Sequence, residues 1–222
     1  MTKKIRVLKA SGSPYEVGFE HGRSYHHDIR RYAEDRIQLV CQGAWSGGPM
    51  PRAEVLALAE ACLPDHAAYA PALYQEMQGL ADATNLSLAE LLIVGGFTDF
   101  VDTVYSASRQ KAPRLPIDDC TAFIVPDDVA EGAGFFGQTW DMHDSATEFV
   151  ILLDVQPDDA PRSLVFTTTG CLGQIGMNEH GICVGINNLL GADGQIGVTW
   201  PFVVRKVLQQ DNLDDALACI TE

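Results

Sequence analysis

No uninterrupted apolar stretch in the 222 residues approaches the ~20 that a membrane-spanning helix requires. The N-terminus, Met-Thr-Lys-Lys-Ile-Arg-Val-Leu-Lys-Ala, has basic residues but not the apolar segment that follows them in a secretory signal. Cations are scarce, with 15 Lys and Arg against 30 Asp and Glu, so the formal net charge is −15. Nucleic acid and anionic membrane both recruit a basic face and are excluded as main partners. The six cysteines, at 41, 62, 120, 171, 183 and 219, never form a CxxC pair. Neither a zinc knuckle nor a disulfide framework is expected, and a reduced, cytoplasmic setting follows.

What is present fits a folded domain. An apolar share of 46% and a charged share of 20% are those of a globular protein, and the length allows a substantial core. Up to about residue 116 the pattern is that of helices and loops. Ser13 and Glu16 form a capping box with Pro14 in the first turn, and apolar residues from Val17 to Ala44 recur at steps of three and four. They predict one long amphipathic helix, ended by Ser46-Gly-Gly-Pro49. A second helix is expected from Arg52 to Cys62, stopped at Pro64, and a third from about Ala67 to Ala83. A second capping box, Ser87 to Glu90, opens a fourth that runs through Val104.

Beyond a basic, proline-punctuated linker at 106–116 the period changes to two. Residues 121–125, 134–140, 148–155 and 163–169 read as strands, and 172–177 and 182–187 flank a hairpin loop, Asn178-Glu-His-Gly181. These would make an antiparallel meander, followed by helices at 200–209 and 212–221. The fold class is α+β, one domain built from a helical segment, 1–119, and a strand-rich segment, 120–222.

The seam between the two segments is Ile117-Asp-Asp-Cys-Thr-Ala-Phe-Ile-Val125. Scission of Asp119-Cys120 would make Cys120 the first residue of a β-rich chain, with a thiol and a free α-amino group. That amine titrates near ~7.7–8.0 and can serve as the base for its own nucleophile. The plainer reading is a buried structural thiol. Asp141 ends the second strand, and a hairpin would return it to the start of the first, near Cys120, where its carboxylate could hold an ammonium or orient the thiol. It could equally begin a turn. His143 offers a Cys-His pair instead, or with Asp141 and Asp144 a metal site, though no second histidine at helical spacing supports it.

Four stretches carry a resemblance to a known family: Gly12-Ser-Pro-Tyr-Glu-Val-Gly-Phe-Glu-His-Gly22, Asp118-Asp-Cys-Thr-Ala-Phe123, Gly137-Gln-Thr-Trp-Asp141, and Gly170 to Asn178 continuing to Gly181. Their order and spacing resemble the isopenicillin N acyltransferase-like (acyl-CoA:6-aminopenicillanic acid acyltransferase) group of N-terminal-nucleophile cysteine hydrolases. The resemblance implies a four-layer αββα sandwich and self-cleavage between Asp119 and Cys120 into associated α and β fragments. It also implies Cys120 as nucleophile, Asp141 as the assisting acid, and no metal or cofactor. The implied substrate is a small N-acyl compound, whose acyl group passes through a thioester to water or an amine, with acyl-coenzyme A as donor in a true transferase.

Two features depart from that pattern. Asp119 stands where the best-known members have glycine. Their second sheet, with an asparagine of the oxyanion hole, follows the point matching Glu222, so the chain is expected to be the N-terminal part of such an enzyme. A non-catalytic relative that keeps the fold as a binding protein is the alternative.

Overall fold

The computed structural model describes residues 4–108, 120–189, 191 and 193–221. Helices and a mixed sheet make it α+β, as expected. The first element differs from the sequence reading: Arg6–Gly12 is a strand, β1. Then come α1 (Pro14–Ser24), α2 (His26–Cys41), α3 (Arg52–Tyr69), α4 (Pro71–Thr84), α5 (Leu88–Gly95) and α6 (Phe97–Ala107). The second half holds β2 (Ala122–Val125), β3 (Phe135–Gln138), a 3-10 turn (Asp144–Phe149), β4 (Val150–Pro157), β5 (Ser163–Thr168), β6 (Ile175–Asn178), β7 (Cys183–Val184), α7 (Trp200–Val207) and α8 (Leu213–Thr221).

Both capping boxes form, with Ser13 and Ser87 each exchanging hydrogen bonds with the glutamate three residues on. The helix expected over 14–44 is two, because Tyr25 leaves helical geometry at φ −123°. The break lets α1 press on α4 while α2 packs against α5. The contact of α1 with α4 is backbone to backbone. A Cβ on Gly18 would lie 1.8 Å from the Glu76 carbonyl oxygen, and one on Gly79 would lie 2.1 Å from that of Tyr15. Pro64 does not stop α3, which continues to Tyr69. The extra turn is anchored by buried His66, whose Nδ1 lies 2.8 Å from the Cys62 carbonyl and whose Nε2 accepts the Thr199 N–H at 3.0 Å. Such tertiary anchoring offsets the roughly 3 kcal/mol that an internal proline costs.

The expected single meander is split in two. One sheet has the order β1-β4-β5-β6-β7, antiparallel except that β1 lies parallel to β4, and β2-β3 is a separate antiparallel ladder. The inner face of the larger sheet, Ala10, Ile151, Leu153, Val155 and Val165, is buried against Val17 of α1 and Val204 and Leu208 of the α7 segment. Its outer face carries Val7, Leu164 and Met177, which remain 56%, 39% and 48% exposed.

The β6–β7 hairpin is fastened by one side chain. Asn178 Oδ1 accepts from the backbone N–H groups of His180 and Ile182, while Nδ2 donates to the carbonyls of Leu208 and Gln210 at the end of α7. Gly181 takes φ +83°, as the turn requires.

A buried ion pair ties α7 to α4. Arg205 donates through Nη1 and Nη2 to both carboxylate oxygens of Glu76 at 2.8 Å, and Nη1 also meets the Leu172 carbonyl at 2.7 Å. Beside it His21 is buried, accepting the Gly170 N–H at 3.1 Å. Burial, and after it the Arg205 charge, hold the His21 pKa down to about 3 from 6.5. Above pH 6.5 the imidazole is neutral folded or unfolded. As pH falls the unfolded chain takes up a proton that the native state refuses until about pH 3, so stability drains away across that window. Asp99 works in the opposite sense. It accepts the Trp200 N–H at 2.6 Å, and burial raises its pKa to about 6, so its contribution is full below 3.8 and is lost as pH rises through 6. His21→Gln isolates the histidine. Between pH 7 and pH 4 the wild-type chain is expected to lose roughly 3 kcal/mol more than the variant, measured by urea unfolding at the two pH values. Equal losses would remove His21 as the source.

Candidate active site

The β2–β3 ladder sets the geometry. Its register pairs Ala122 with Gln138, and the pairing continues past the strand ends, where Thr139 N–H donates to the Thr121 carbonyl at 2.8 Å. Thr121 N–H donates back to Thr139 Oγ1 at 3.0 Å. One residue further out, the Asp141 N–H donates to Cys120 Sγ at 3.4 Å. The half-buried thiol is therefore not sealed in the core.

The Asp141 side chain is exposed, and its Oδ2 accepts from Thr139 Oγ1 at 3.3 Å. Thr139 thus links the start of β2 to Asp141. The hairpin is tied to the larger sheet by Gln138, whose Nε2 donates to the Ile186 carbonyl at 2.8 Å, just past β7. Asp119, the other half of the expected scissile bond, lies outside the described residues.

His143 is engaged elsewhere. Its Nδ1 lies 2.9 Å from Ser145 Oγ and 3.3 Å from Ser145 N, and its ring meets Trp45 edge-on at 5.9 Å. Among the described residues no hydrogen bond joins it to Cys120, and no cluster of three His, Cys, Asp or Glu side chains is arranged to hold a metal ion. No described helix is long and apolar enough to cross a membrane.

The other cysteines differ in environment from Cys120. Cys62, Cys171 and Cys219 are buried, and burial pushes the Cys171 thiol up to about 11. Cys41 is half-buried and Cys183 is exposed on β7.

Sequence reasoning missed Thr139, although it lies inside a stretch singled out for its resemblance. It also missed Arg36, whose guanidinium is buried and bonded to Asp35 and Ser145. The signal was there: Ile29, Tyr32, Ala33, Ile37 and Val40 trace the buried stripe of α2, and Arg36 falls on it.

A thiol two residues ahead of a strand, with a backbone donor on its sulfur, is a group chemically able to form a thioester. Comparison with known proteins narrows the class. Residues 129–222 match the family described as acyl-coenzyme A:6-aminopenicillanic acid acyl-transferase. The 40 kDa form of acyl-coenzyme A:6-aminopenicillanic-acid-acyltransferase from Emericella nidulans is 24% identical over 182 residues, which cover 82% of this chain and 46% of that protein. An uncharacterized protein of Archaeoglobus fulgidus is 23% identical over 238 residues, covering 95% of this chain and 38% of its own length. The family resemblance read from the motifs is borne out as a resemblance: the chain is similar to the acyl-coenzyme A:6-aminopenicillanic acid acyltransferases. It spans less than half the length of these curated relatives.

Proposed function

We propose that this chain forms part of a self-processing cysteine amidohydrolase or acyltransferase that acts on a small N-acyl compound through a thioester on Cys120. The observation that carries the proposal is the Asp141 N–H on the sulfur of a thiol two residues ahead of β2. In self-cleavage, Cys120 Sγ attacks the Asp119 carbonyl carbon, the peptide C–N bond breaks as the acyl group moves to sulfur, and water hydrolyses the thioester. Cys120 is left with a free amine. In turnover that amine accepts the thiol proton, the sulfur attacks the substrate carbonyl, and the ammonium protonates the departing amine. Water or a second amine then releases the acyl group, and an acyl-coenzyme A thioester could load the same sulfur.

An αββα arrangement is part of the same reading. The outer face of the larger sheet leaves Val7, Leu164 and Met177 exposed beside Lys9 and the Asp154–Arg162 pair, and Phe123, Ile124 and Phe135 are 57%, 75% and 62% exposed on the β2–β3 ladder. Two such surfaces are what a second sheet would cover.

The test is the intact mass of purified protein. Two fragments that break between 119 and 120 are expected, whereas a single uncut mass after prolonged incubation would favour a relative that keeps the fold and has lost processing.

A further inference from the structure

The mechanism uses Cys120 and Asp141 and gives no task to Arg36, whose side chain is fully buried. Its guanidinium lies between two rings, 4.7 Å from the centroid of Tyr32 and 4.8 Å from that of Phe97. Nη2 and Nε donate to Asp35 Oδ2 at 2.8 and 3.2 Å, and Nη2 also donates to Ser145 Oγ. That hydroxyl lies 2.9 Å from Asp35 Oδ2 and 2.9 Å from His143 Nδ1.

Serine, histidine and aspartate are all present, yet the order is wrong for a second nucleophile. In a hydrolytic triad the imidazole stands between hydroxyl and carboxylate, whereas here the hydroxyl is in the middle, held from both sides. As a stabilising device the cluster is also a poor bargain. Removing a guanidinium from water costs several kcal/mol, and its one carboxylate partner is 36% exposed.

What the cluster does geometrically is join α2 to the segment that carries Asp141. Ser145 fixes His143, whose carbonyl accepts the Ala146 N–H at 2.9 Å to start the 3-10 turn. Two residues back, the Asp141 N–H sits on Cys120 Sγ, and Thr139 closes the other side. Residues 139–145 are thus a short strap, with Arg36 at one end and the thiol at the other.

We propose that Arg36, acting through Ser145, is a positioning residue for Cys120: it holds the 139–145 strap so that the Asp141 N–H stays on the sulfur. The inference rests on the reading of Cys120 as the nucleophile, but its test does not require cleavage. The rate of Cys120 alkylation by iodoacetamide is followed by peptide mapping under native conditions, on the wild type, Ser145→Ala, Ser145→Thr and Arg36→Met, whole or cut as purified. Ser145→Ala is expected to slow Cys120 roughly three- to tenfold, the worth of one hydrogen bond to the reacting group. Ser145→Thr restores the rate, and Cys183, exposed on β7, keeps its own rate in every variant. Arg36→Met is expected to match Ser145→Ala. If it fails to fold, the two serine variants decide. Alkylation of Cys120 in Ser145→Ala that is unchanged or faster overturns the proposal, as does failure of Ser145→Thr to restore it or an equal slowing of Cys183. A chain that stays uncut while Cys120 slows as described would sink the processing mechanism and leave the positioning role standing.

Discussion

Cys120→Ala is expected to remain a single uncut chain and to lose acyl transfer by on the order of 10⁶-fold, the scale seen when a covalent nucleophile is removed. The substitution deletes the attacking atom and leaves the ladder of β2 and β3 intact, since every other bond at that end comes from Thr121, Thr139 or backbone. Asp141→Asn is a graded companion. The N–H that meets the sulfur is preserved, and only the charge of the carboxylate is lost, so a loss of roughly 10²-fold is expected, within the range of a single assisting acid or base. Intact mass reports the first effect, and single-turnover release from chromogenic N-acyl anilides reports the second. A Cys120→Ala chain that is still cut between 119 and 120 would end the proposed mechanism. An Asp141→Asn chain of full activity would reduce Asp141 to its backbone donor.

Glu76→Ala is expected to destabilise the fold by about 3–5 kcal/mol, because it strands a guanidinium in the interior. Arg205 and Glu76 are 2% and 3% exposed, and with the carboxylate gone the Leu172 carbonyl is the acceptor that remains in contact. Replacing both, Glu76→Leu with Arg205→Met, removes the stranded charge along with its partner, and about 1 kcal/mol or less is expected in either direction. Urea unfolding of the single and double variants gives the comparison. If the double variant loses as much as the single, the cost lies in packing between α4 and α7. Gly173 makes that a fair test, since a Cβ there would come within 2.7 Å of Arg205 Cδ, a sign of how closely the guanidinium arm is enclosed.

Where local chemistry decides, the sequence was readable. Both capping boxes, the Gly181 turn and the two closing helices follow from residues within a few positions of one another. The return of Asp141 toward Cys120 was readable for the same reason, being the consequence of one hairpin. What escaped depends on distant partners. β1 pairs only with distant β4, so without that partner its residues read as part of the helix-and-loop half. Pro64 signalled an end that His66 and Thr199 override from outside the helix. Six candidate strands suggested one sheet, and only the pairing of β4 with β1 separates the β2–β3 ladder from the rest. Arg36 was visible as a cation on an apolar stripe, yet its partner Ser145 lies on the far side of the linker.

The parallel pairing of β1 with β4 joins Arg6 through Gly12 to Ile151 through Pro157, with the whole helical layer intervening along the chain. Scission ahead of Cys120 would therefore distribute the two strands of a single ladder between different polypeptides. The pieces would co-elute from a gel-filtration column in native buffer and part only in denaturant. Their reunion would be second-order in protein concentration, so a molecule that folds once as a monomer would have to meet its other half to fold again.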